Sequence, residues 1–82
     1  MMFTMKVEEN CLKSKIGLKI KFERQKRNLT QEKLAELAGL STNCIGTIER
    51  ATASPTTDSI ERIARALGME PHDLLNVKKI EL

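Results

Sequence analysis

Apolar positions along this chain recur three and four residues apart, with short polar or glycine-bearing breaks between the runs. The cleanest run is Ile60, Ile63, Ala64 and Leu67. It marks one face of a helix opened by Thr56 or Thr57, with Asp58 in its first turn, and ended by Gly68. Upstream, residues 30–49 predict two short helices. Thr30 opens the first, where Glu32 carries a favourable negative charge in the first turn and Leu34, Ala35 and Ala38 share a face. Gly39 ends it and Ser41 opens the second, which turns Ile45 and Ile48 inward and runs to about Glu49. The break between them is only Gly39, Leu40 and Ser41, so the two helices must cross steeply.

The same pattern predicts a helix over residues 14–27, with Ile16, Ile20 and Leu18 facing the core. Gly17 lowers helix propensity there by about 1 kcal/mol relative to alanine, which a close approach of another helix would explain. Lys26 and Arg27 suit the helix C-terminus, Asn28 suits the left-handed residue that stops it, and Leu29 returns the chain to the core. Near the end, Pro71 fits the first position of a last short helix whose start Asp73 can cap and that carries Leu74 and Leu75. The tail keeps Val77, Ile80 and Leu82 apolar, which suggests a subunit contact, a helix extension or a short strand. Residues 1–13 then read as a mobile arm, 14–76 as the folded domain, and 77–82 as a tail available to a dimer interface. With no strand-rich region, repeat or low-complexity linker, the fold class is all-α, a compact domain of five helices.

Composition narrows this further. Eighty-two residues allow one small core, and with Phe3 and Phe22 as the aromatics that core must be aliphatic. No apolar run is long enough to span a bilayer and no leader-like segment opens the chain, which points to the cytoplasm. Cys11 and Cys44 lie far apart without His or Cys neighbours, so the expectation is two reduced thiols, no metal and no cofactor. His72 is the single histidine, beside Asp73 at a helix start, and no nucleophile–base pair or carboxylate pair is visible. An enzyme is therefore not expected. The net charge of +3 conceals an imbalance: residues 1–27 carry +5 and the remainder −2. A cationic end fits docking on a polyanion, although a solvated helix surface would have the same charge.

The outward face of the helix after Ser41 presents Thr42, Asn43, Gly46 and Thr47, side chains that are short and polar or absent. Such a helix is suited to lying against another surface and being read. Over residues 16–75 the sequence resembles the Cro/phage-repressor, or Xre-type, helix-turn-helix family. The resemblance is carried by Thr30-Gln31, Leu34-Ala35, Gly39, Ile45, Ile48-Glu49 and Ala66-Leu67-Gly68.

That resemblance implies a five-helix, lambda-repressor-like domain that binds double-stranded DNA as a homodimer, its third helix in the major groove. It implies base-edge contacts from Thr42, Asn43 and Thr47, and phosphate contacts from Gln31 and Ser41, with Lys15, Lys19 and Arg50 as further candidates. It also implies an internal salt bridge between Arg24 and Glu49. The last helix and tail (Leu74, Leu75, Val77, Ile80, Leu82) are the candidates for the dimer interface. Three positions depart from the family pattern. Ala51 stands where glycine is common, the loop 52–54 lacks basic residues, and Glu23 takes an often apolar place, which suggests a rotated first helix that buries Phe22. The functional expectation is a transcriptional repressor on a pseudo-palindromic operator, with no small-molecule effector. The competing expectation is an antitoxin-like protein-interaction module on the same fold.

Overall fold

A computed structural model describes residues 11–76, which form five helices and no strand. We number them α1 (Leu12–Lys26), α2 (Gln31–Ala38), α3 (Thr42–Glu49), α4 (Thr57–Leu67) and α5 (Pro71–Leu75). The expectations for residues 1–10 and for Val77, Ile80 and Leu82 lie outside the described residues. The helical fold class agrees with the sequence reading, and α1 begins two residues earlier than its apolar spacing suggested.

Local chemistry sets most helix ends. The hydroxyls of Thr30 and Ser41 accept from the amides of Lys33 (2.9 Å) and Cys44 (3.0 Å), satisfying amides that have no partner within the helix. Thr56 and Ser59 form a reciprocal capping box, each side chain accepting from the other's backbone amide, at 3.0 and 2.9 Å. Gly39 and Gly68 take left-handed conformations after α2 and α4, with φ of 71° and 74°. Asn28 does the same after α1 at φ 58°, where its short polar side chain tolerates the conformation. Ala51 follows α3 at φ 62°, a region that disfavours a Cβ.

The helices converge on an aliphatic core in which Ile20, Leu34, Ile45, Ile63 and Leu74 are fully enclosed. Each such side chain supplies about 1.5–3 kcal/mol of transfer free energy. α2 packs on α3 and α4, and α1 packs on α3, so the helix-turn-helix is gripped from behind by α1 and α4. Gly17 makes the α1–α3 approach possible. A Cβ there would collide with the Ile48 carbonyl oxygen and stand 2.9 Å from that of Glu49.

Four expectations change. Leu18 is 55% exposed rather than inward, because it lies two residues from both Ile16 and Ile20 and so falls across the helix axis from them. α1 does not rotate to bury Phe22, which is 57% exposed, with Lys26 Nζ 5.2 Å from its ring centre. Glu23 is buried instead, because Arg27, Lys19 and Lys26 surround its carboxylate at 2.6, 3.3 and 3.5 Å. Leu74, expected at a subunit contact, is wholly enclosed within the protomer, since α5 folds back against α4 and α1. Asp73 does not cap α5; its carboxylate faces His72 at 3.4 Å.

Candidate nucleic-acid interface

The turn at Gly39 leads into α3, one side of which stays exposed. Ile45 and Ile48 face the core, while Thr42 and Asn43 are exposed near the N-terminus of the helix. Among the described residues no hydrogen bond engages the Asn43 amide, so its donors and acceptor are unspent. Thr47 is half-buried on the same side, and its hydroxyl donates to the Cys44 carbonyl at 3.0 Å, leaving oxygen lone pairs and a methyl group to face outward contacts. Cys44 packs partly against the core. Gly46 is buried, and the nearest atoms to its missing Cβ belong to the Arg50 guanidinium.

A buried polar network holds this helix in place. Arg24 donates from Nε and Nη2 to the two oxygens of Glu49 at 2.7 and 3.0 Å, and from Nη1 to the Leu29 carbonyl at 2.8 Å. Gln31 Nε2 donates to Glu49 at 3.0 Å. Three elements therefore meet at one carboxylate, the end of α1, the start of α2 and the end of α3, and the Arg24 guanidinium ties the α1–α2 turn to them. The bidentate fork fixes direction as well as distance. The family resemblance implied the Arg24–Glu49 pair, but the Leu29 carbonyl and the Gln31 amide leave no separate mark in the sequence.

The expected phosphate contacts divide by what else they do. Gln31 uses one amide hydrogen on Glu49 and retains a second, at the N-terminus of α2. Ser41 accepts from Cys44, which leaves its own O–H free to donate. Lys19 belongs to the Glu23 cluster on α1, whereas no ion pair among the described residues takes Lys15 or Arg50. Within the Glu23 cluster, the Arg27 hydrogen bond does most to hold the Glu23 carboxyl below its usual 4.5. Burial opposes that lowering, and Lys19 and Lys26 add to it. The i±4 spacing of Lys19 and Arg27 about Glu23 was a signal the sequence reading did not use. No helix among the described residues is long and apolar enough to cross a membrane.

Two crossed helices, a rigid brace and an uncovered polar helix face are the parts of a helix-turn-helix, and comparison with known proteins agrees. The sequence model of the helix-turn-helix family matches residues 20–75. The chain belongs to that family, in its Xre type. It is 40% identical to control protein C.BamHI of Bacillus amyloliquefaciens over 72 residues, 87% of this chain and 89% of that protein. It is 42% identical to the immunity repressor protein of Bacillus phage phi105 over 55 residues, 67% of this chain but 38% of the repressor. Its fold is similar to the restriction-modification controller protein C.AhdI from Aeromonas hydrophila, with a TM-score of 0.74 and 34% identity, covering 76% of this chain and 94% of that one. The helix-turn-helix chain is thus a transcriptional regulator with a DNA-binding fold.

Proposed function

We propose that this helix-turn-helix chain binds duplex DNA sequence-specifically as a homodimer on a pseudo-palindromic operator, and that it represses by excluding polymerase. The observation that carries the reading is the uncovered Thr42–Asn43–Thr47 face of α3, set on a helix whose far end is locked by Arg24, Glu49 and Gln31. Asn43 would pair with adenine, and the threonines would offer a hydroxyl to a base edge or a methyl to thymine. Gln31, Ser41 and Lys15 would set the register on phosphates.

One such helix supplies few base contacts, and a two-fold axis doubles them. Half-sites would then lie roughly 34–36 Å apart. Leu12 and Leu75, 59% and 45% exposed, flank a cleft with Ile16, Pro55, Ile60 and Pro71 and offer an apolar surface for the second copy. The relatives named as a control protein and a repressor support regulation by occupancy.

Selection of bound duplexes, followed by gel shifts over a salt series, tests this. The expected result is a palindromic motif and an affinity that falls steeply with salt. Affinity indifferent to salt and sequence would instead favour a module that holds a protein partner.

A further inference from the structure

Gly46 sits mid-way along α3, buried beside the exposed face, one turn from Thr42 and Asn43 on one side and one turn from Arg50 on the other. Glycine is disfavoured in a helix interior, so its presence there needs a reason. None of the three nearest atoms to its missing Cβ belongs to another helix. An added Cβ would stand 2.9 Å from Arg50 Nη1 and 3.6 Å from Cζ and Nη2, and these are its nearest neighbours. The Arg50 side chain therefore runs back toward the start of α3, the direction helical side chains favour. Its guanidinium rests on bare backbone, on the face that carries Asn43 and Thr47.

The charge on that guanidinium is also uncommitted. Arg24, Arg27, Arg62 and Arg65 each pair with a carboxylate. No ion pair or side-chain hydrogen bond among the described residues takes Arg50, whose side chain is exposed. Its chain neighbour Glu49 is occupied by Arg24 and Gln31. A free, planar set of donors on the read face of a groove-entering helix matches the O6 and N7 acceptors of guanine, the pairing arginine makes most often in the major groove.

We propose that Arg50 determines specificity, reading a guanine through the fork of its guanidinium, and that Gly46 lacks a side chain in order to seat it. This replaces the phosphate contact expected of Arg50, and it rests on the DNA-binding reading above.

The full chain, Arg50→Lys and Arg50→Ala are compared by selection of bound duplexes and by competition gel shifts against single-base variants. Both variants should melt with the parent, because the Arg50 side chain is exposed and no hydrogen bond or ion pair among the described residues engages it. The parent should prefer guanine at one position of each half-site by roughly 5- to 100-fold. Arg50→Lys keeps the charge but not the fork, so it should hold its salt dependence and lose that preference; Arg50→Ala should lose it too. A parent motif without guanine overturns the assignment but spares the DNA-binding reading. So does a uniform fall in affinity with every base preference intact. A parent chain with no sequence preference at all overturns both.

Discussion

Arg24 closes on both carboxylate oxygens of Glu49, at 2.7 and 3.0 Å, and the two side chains are only 10% and 2% exposed. A buried ion pair is weak support for stability by itself, because desolvating two charges offsets much of their attraction. Here two further hydrogen bonds support the pair, one to the Leu29 carbonyl and one from the Gln31 amide. The network fixes where α3 ends relative to α1 and α2, and so fixes the face that α3 presents.

Removing one partner should therefore do more harm than removing both. Arg24→Ala leaves the Glu49 carboxylate buried without its cation and should lower stability by about 3–5 kcal/mol. An Arg24→Met, Glu49→Leu double variant should lose clearly less than the sum of its single changes. Thermal melts of the four proteins in the cycle measure this. An unchanged melting temperature for Arg24→Ala would refute the bracing role.

The Glu23 cluster makes a prediction about acid. The Arg27 hydrogen bond leads in holding the Glu23 carboxyl below 4.5, so the folded state binds this proton less readily than the unfolded chain. The resulting stability is fully present above 4.5 and is lost as pH falls through the lowered folded value. Glu23→Gln should be less stable than the parent at neutral pH, and the gap should close as the solution is taken below 4.5. Parallel melts across that range decide it; a gap that widens in acid contradicts the assignment.

Gly17→Ala opposes two effects of different size. Helix propensity favours alanine by about 1 kcal/mol. Against that, the new methyl would strike the Ile48 carbonyl oxygen and crowd that of Glu49, both backbone atoms with little freedom to move. Overpacking of this kind typically costs about 1–3 kcal/mol, and contact with backbone belongs at the upper end. The clash should win, and a lower denaturant midpoint with an unchanged slope would report it.

Ala51 is a place where stability can be gained. Its φ of 62° costs an L-residue roughly 1–2 kcal/mol, while glycine gives back about 0.5–1 kcal/mol through the greater freedom of the unfolded chain. Ala51→Gly should be stabilising by about 0.5–1 kcal/mol, the difference between those two effects. Chemical denaturation is the measurement, and a destabilised variant would show that the turn is not strained.

The parts of this fold written in nearest-neighbour chemistry were legible in the sequence. Thr30, Ser41 and Thr56 open helices and Gly39 and Gly68 close them, because those preferences act within a few residues. What escaped depended on partners elsewhere. Glu23 reads as a surface charge until Lys19, Lys26 and Arg27 are seen to neutralise it. Leu74 and Leu75 are adjacent and equally apolar, so which of them turns inward depends on how α5 docks. Gly46 is visible as a position without a side chain, but what lies over it, the guanidinium four residues on, is a matter of side-chain conformation.

Asn43 separates recognition from folding most cleanly. Its side chain is exposed and, among the described residues, makes no hydrogen bond, so the folded protomer does not depend on it. Asn43→Ala should melt within about 0.5 kcal/mol of the parent, as surface changes away from special features do. If its amide reads adenine, the variant should lose about 1–3 kcal/mol of discrimination at one base pair of each half-site. Binding to unrelated duplex, which rests on phosphate contacts, should be nearly unaltered. Competition between the selected site and its single-base variants measures that difference directly. An Asn43→Ala protein that kept the full motif would move base reading off this part of α3.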